Sequence, residues 1–76
     1  MKIYEFQKNA LETVIIQFTE FKGKKLIDMR VFYNAGVAQE DWRPSKKGIS
    51  MSVDLIPELT KGLEKAKKAW QKQINK

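Results

Sequence analysis

The sequence predicts an α+β domain: a twisted four-stranded antiparallel sheet, then one long C-terminal helix, with the chain paired into a dimer. Three observations carry this. The apolar residues repeat every second position up to about residue 52 and every third or fourth after it. A glycine-containing turn near residue 23 separates two strongly alternating runs. With 76 residues, no cysteine and no histidine, the chain can bury only a small core and has neither disulfides nor the commonest zinc ligands to reinforce it. A partner chain is the reinforcement that remains.

Each element follows from local pattern. Ile3–Lys8 alternates weakly and reads as a first strand turning at Asn9-Ala10. Thr13–Phe21 sets Val14, Ile16 and Phe18 against Ile15, Gln17 and Thr19, with the β-branched and aromatic content of a strand. Phe21-Lys22-Gly23-Lys24 is a tight turn in which Gly takes positive φ. Lys25–Tyr33 alternates again, with Ile27, Met29 and Val31 on one face and Leu26, Asp28, Arg30 and Phe32 on the other. Asn34-Ala35-Gly36 opens a loop. Val37–Arg43 and Lys47–Met51 read as a fourth strand interrupted at Pro44-Ser45, an interruption that belongs at an edge or a bulge because proline donates no ladder bond.

From about 53 to 74 the period is helical. Ser52 is the N-cap and Asp54 lies in the first turn, where a carboxylate suits the helix dipole. Ile56, Leu59, Leu63, Ala66, Trp70 and Ile74 form one apolar stripe. Pro57 makes the first turn irregular. A helix of that length, roughly 33 Å, exceeds what is needed to back a small sheet. The surplus stripe, with Ile56, Leu59, Leu63 and Trp70 as its main side chains, is therefore the expected dimer interface. The whole chain, 1–76, is one domain.

Charge and chemistry bound the function. The net charge is +6, but residues 1–60 carry nine Lys and Arg against eight Asp and Glu, and the excess sits in 61–76, six Lys against Glu64. A lysine-rich helix face is commonly just solvated, so a binding site has to be argued from the sheet. Enzyme signatures are missing: there is no nucleophile with a histidine base, no phosphate-cradling loop and no metal-ligand spacing, and Glu40-Asp41 would point to opposite faces of a strand. No catalysis, metal, cofactor or small-molecule substrate is expected. No apolar run is long enough to span a bilayer and the N-terminus has no signal-type apolar segment, which points to a cytoplasmic protein without membrane contact. What the strand region does hold is cations interleaved with rings: Phe21, Lys22 and Lys24 at the turn, Arg30 followed by Phe32 and Tyr33, and Trp42, Arg43, Lys46 and Lys47 around Pro44. Single-strand binders use this mixture, with cations on phosphates and flat faces under unpaired bases.

Two blocks, Glu-Phe-Lys-Gly-Lys-Lys-Leu-Ile-Asp-Met-Arg at 20–30 and Arg-Pro-Ser-Lys-Lys-Gly-Ile-Ser at 43–50, closely resemble the transcriptional positive cofactor four family, in order and before a helix. Those proteins are single-stranded-DNA-binding transcriptional coactivators. The resemblance, over roughly residues 3–66, implies a curved antiparallel sheet, a homodimer with two basic, aromatic-lined channels, and transcription machinery as a further partner. Carried over by position, it places DNA contacts on Phe21, Lys22, Lys24, Arg30, Arg43, Lys46 and Lys47. A family tryptophan falls on Tyr33, and Trp42 has no clear equivalent but offers a second ring. The pattern resembles a prokaryotic or phage version, with Glu12, Val14 and Thr19 where the animal form is basic. The expected function is binding of single-stranded DNA or RNA with little sequence preference, in transcription, replication or repair. The alternative is a protein-interaction module that dimerises through its helix and binds no nucleic acid.

Overall fold

The computed structural model describes residues 1–36 and 41–74. Strands β1 (Lys2–Asn9), β2 (Glu12–Phe21), β3 (Lys24–Asn34) and β4 (Trp42–Ser52) form one antiparallel sheet in the order β1-β2-β3-β4, and a 3-10 turn (Val53–Leu55) leads into helix α1 (Ile56–Ile74). Val37–Glu40, expected to begin the fourth strand, lie outside the described residues.

The β2–β3 hairpin sets the frame. Its loop is Lys22-Gly23, with φ of 51° and 78°. Positive φ at both central residues is the two-residue hairpin geometry that matches strand twist. Gly23 takes it freely, whereas Lys22 pays roughly 1 kcal/mol for a left-handed conformation. The pairing then runs unbroken from Phe21↔Lys24 to Glu12↔Tyr33. At the other hairpin, the Asn9 side chain accepts the Leu11 N–H at 2.9 Å and donates to the Glu12 carboxylate at 2.8 Å, a side-chain-closed turn.

This register sorts the side chains. One face carries Val14, Ile16, Phe18, Ile27, Met29, Ile49 and Met51, with Tyr4 and Phe6 from β1 opposite Ile16 and Val14. The other carries Gln17, Thr19, Asp28, Arg30, Ser50 and Ser52, with Ile15 and Leu26 among them. Two irregularities modify the pattern. In β1 the pairing shifts between Lys2 and Tyr4, so Lys2 and Glu5 both come to the polar face, beside Gln17 and Ile15. In β4 the partners step from Gly48 (opposite Arg30) to Pro44 (opposite Phe32), leaving Ser45, Lys46 and Lys47 opposite Val31 alone. The expected break at Pro44-Ser45 is thus a bulge inside a continuous strand, and β4 tolerates the proline because it is an edge strand.

The helix begins later than expected. The Ser52 hydroxyl accepts the Asp54 N–H at 3.3 Å, as a cap should. The Ile56 N–H then bonds the Val53 carbonyl, closing a 3-10 turn. Pro57 has no N–H to offer that carbonyl in α geometry, so the tighter turn satisfies it instead.

One expectation is corrected. α1 packs mainly on the turn that precedes it and does not back the sheet of its own chain. Ile56 and Leu59 are half-buried, but Leu63, Trp70 and Ile74 are 60%, 61% and 56% exposed. The apolar face of the sheet is equally bare, with Phe6 and Ile49 near half exposure and Ile27 the one buried hydrophobic side chain among the described residues. The chain's radius of gyration is 15.1 Å, against about 11 Å for a compact chain of this length.

Two glycines give opposite expectations. A Cβ on Gly48 would sit 2.5 Å from the Met29 carbonyl and 2.8 Å from the Arg30 Cα, whereas one on Gly62 in α1 would meet nothing within 4 Å. Gly48→Ala should lower stability by about 2 kcal/mol, and Gly62→Ala should raise it by up to about 1 kcal/mol. Urea unfolding of both variants at one protein concentration checks the pair.

Candidate nucleic-acid interface

The polar face brings together Phe21, Lys24, Arg30 and Trp42. Phe21 pairs with Lys24, Lys24 and Arg30 are an even number of residues apart on β3, and Trp42 pairs with Asn34, again in phase with Arg30. Phe21 is 63% exposed at the hairpin end, and the Lys22 ammonium stands 5.3 Å from its ring centroid. That contact is a cation–π arrangement which keeps a charge and a flat face adjacent. Trp42 is 36% exposed at the opposite end of the face.

Arg30 lies between them and is already heavily engaged. Its Nη2 and Nε donate to the two oxygens of Asp28 at 2.9 and 3.3 Å, and its Nη1 donates to the Ser45 carbonyl at 3.0 Å. Asp28 is buried and also accepts from Gln17 at 3.4 Å. The bond to Asp28 raises the Arg30 pKa further. Arg30 is therefore a strut as much as a cation: its fork joins β3 to the β4 bulge. The Ser45 hydroxyl completes the joint, donating to the Val31 carbonyl at 2.8 Å and accepting the Lys47 N–H at 3.1 Å. The bulge so held presents Lys46 and Lys47, both exposed, side by side in sequence.

The remaining candidates lie elsewhere. Tyr33 (41% exposed) pairs with Glu12 and with Arg43, which puts both on the face opposite Arg30. Arg43 is paired with Asp41 at 3.3 Å. Lys47 also reaches toward that side. The Glu12 carboxyl is held below its usual pKa, first by the Asn9 hydrogen bond and then, against some desolvation, by the charges of Lys8 and Lys47. Phe21, Lys24, Arg30 and Trp42 thus form one group, while Tyr33, Arg43 and Lys47 gather at the far edge of β3 and β4.

A family model described as Transcriptional Coactivator p15 (PC4) matches residues 8–62. The chain belongs to the PC4 family. Among solved structures it is similar to a PC4 homolog from Burkholderia pseudomallei in two crystal forms. The tetragonal form is 25% identical with a TM-score of 0.77, covering 88% of this chain and 96% of that one. The orthorhombic form is 26% identical with the same TM-score, covering 88% of each. No curated protein matches the chain. The PC4 match stops at residue 62, so most of α1, with Leu63, Trp70 and Ile74, lies beyond it.

Sequence reasoning passed over four residues of this PC4 face. Asp28 was legible, since an acid two positions before Arg30 on a strand must share its face. The role of Ser45 appears only with the bulge, where its hydroxyl joins the Val31 carbonyl to the Lys47 N–H. Lys2 and Glu5 are brought to the face by the shift in β1, which no periodicity reveals.

Ser45→Ala would leave the Val31 carbonyl and the Lys47 N–H without their partner, and should cost about 1–2 kcal/mol. Arg30→Lys keeps the charge but loses the fork, and should also lower the melting temperature. Thermal unfolding at matched concentration reads both.

Proposed function

We propose that the chain binds single-stranded DNA or RNA without catalysis, as a homodimer, with its polar face against the strand. PC4 proteins are single-stranded-DNA-binding transcription coactivators. The observation that carries the reading to this chain is the polar face itself, where Phe21, Lys24 and Trp42 are exposed beside the Arg30-braced bulge, whose exposed Lys46 and Lys47 extend the cations toward the Tyr33–Arg43 edge. Cations spaced along a sheet neutralise phosphates, and exposed rings take unstacked bases. Contacts of that kind read the form of the strand, so sequence preference is small. A role in transcription, replication or repair follows from strand binding, with the transcription machinery as a further partner of the coactivator role, in the cytoplasm.

The dimer is supported by surface. The chain exposes 6475 Å², about 1,700 Å² more than the roughly 4,800 Å² of a compact monomer of its mass. An excess of that size is what each partner of an obligate dimer buries. Two apolar surfaces await cover, the sheet face around Phe18 and Ile49 and the helix stripe of Ile56, Leu59, Leu63 and Trp70. A second copy supplies both complements by symmetry.

Fluorescence anisotropy of a labelled oligothymidine, beside a duplex of equal length, tests the reading. The single strand should bind more tightly; equal binding would mean nonspecific polycation attraction. Lys46→Ala/Lys47→Ala should reduce the slope of log K against log salt by about 1.4, at about 0.7 per phosphate contact on single strands. Phe21→Ala should cost about 1–3 kcal/mol with little change of slope.

For the dimer, sedimentation at micromolar concentration should give about twice the 8.9 kDa chain mass. Leu63→Asp, which sets a charge in the apolar stripe, should shift the species toward monomer. A folded wild-type monomer would remove the dimer.

A further inference from the structure

At one end of the polar face is a hollow of about 300 Å³ lined by Lys2 and Glu5 of β1, Thr13 and Ile15 of β2, and Trp42 of β4. Residues of both edge strands meet there because the sheet curls. Ile15 stands opposite Glu5 on one side and Arg30 on the other, so the hollow adjoins the cationic centre of the face.

Its chemistry differs from that of its surroundings. The Glu5 Oε1 accepts from the Lys2 ammonium at 2.6 Å, and both side chains are about half exposed. A carboxylate in a strand-binding face repels phosphate, so this is a poor seat for the backbone. It is a good seat for a ring that brings N–H donors. Trp42 supplies a flat face, Glu5 supplies acceptors, and Lys2 supplies a donor beside them. Among the bases, guanine alone offers two adjacent donors, N1–H and the N2 amino group, with the O6 acceptor next in line on the same edge. The carboxylate can accept from both donors at once, and the ammonium beside it can donate to O6. Cytosine, adenine and thymine each present one donor on that edge and would leave part of the Lys2–Glu5 pair unmatched.

We propose that this hollow is a subsite for one unpaired guanine, stacked on Trp42 and read along its Watson–Crick edge by Glu5 and Lys2. The inference rests on the strand-binding reading above and adds a base preference at one position.

The test is anisotropy on a twenty-nucleotide thymidine tract and on the same tract with one central guanine, hypoxanthine, adenine or cytosine. A single guanine cannot form a quadruplex within the strand, so a gain reports the subsite. The guanine strand should bind about tenfold more tightly than the all-thymidine strand, the scale of one bidentate base contact. Hypoxanthine, which lacks the N2 amino group, should recover only part of the gain, and adenine and cytosine none. In Glu5→Gln, confirmed folded by circular dichroism, the guanine-to-thymidine ratio should fall to about one. Thymidine binding with no guanine gain in the wild type, or a gain that survives Glu5→Gln, overturns the subsite and leaves strand binding standing. A folded wild type that binds none of the strands overturns both.

Discussion

The register of the β2–β3 hairpin governs everything else in this fold. Side chains on a strand alternate with period two, so a slip of one residue would exchange the faces of both central strands. The slip is prevented at the turn. Two residues with positive φ fix which pair closes the hairpin, and Phe21↔Lys24 then dictates each pair down to Glu12↔Tyr33. From that one constraint come the clustering of Ile27 and Met29 on one side, the placing of Asp28 and Arg30 on the other, and the position from which Arg30 can reach Ser45. The roughly 1 kcal/mol spent on Lys22 keeps a cation at the tip beside the Phe21 ring, where a glycine would have been the relaxed choice.

The two faces then meet different demands. The polar face is internally satisfied: no described buried side-chain nitrogen or oxygen lacks a partner, and its buried acid is matched by a fork. The apolar face is not. One buried hydrophobic side chain among the described residues is far too little to offset the conformational entropy of ordering some seventy residues. In the proposed dimer, the chain reaches a stable state by giving its apolar face and helix stripe to a second copy, and this leaves the polar face open to solvent. On the proposed reading, assembly and strand binding use opposite sides of one sheet and do not compete.

What the sequence reveals divides along physical lines. The hairpin, the helix cap at Ser52 and the apolar stripe were legible because each depends on residues within a few positions of one another. The two family-like blocks were legible for the same reason, and they mark the hairpin and the bulge. The start of α1 was displaced because Pro57 offers the Val53 carbonyl no N–H. The proline signals an irregular first turn, but only the Ile56 bond to Val53 shows that the turn closes as 3-10 and delays the helix. The relation of α1 to the sheet was illegible: an apolar stripe shows that a helix wants cover and says nothing of which chain provides it. The Lys2–Glu5 pair was hidden for another reason. Three residues apart, the two should face opposite ways on a regular strand, and only the shift between Lys2 and Tyr4 puts them together.

The placing of charge follows the same separation. Residues 1–60 are almost neutral in sum, so the sheet generates little long-range field. The surplus lies on α1, where Lys61, Lys65, Lys68 and Lys72 recur at steps of four, three and four and form a ridge opposite the apolar stripe. A ridge of that kind acts at a distance and is screened by salt, drawing a polyanion toward the protein without fixing its register. On the proposed reading, short-range features of the polar face do the fixing: the rings of Phe21 and Trp42, Lys24 beside the Arg30-braced bulge, and the neutral Lys2–Glu5 pair. Because Asp28 and Glu5 offset two of the cations there, the face gains little from net charge and depends on shape and stacking. On that same reading, a strand that has its bases stacked in a duplex cannot use those features, so this face reads unpaired bases and generic attraction is left to the helix.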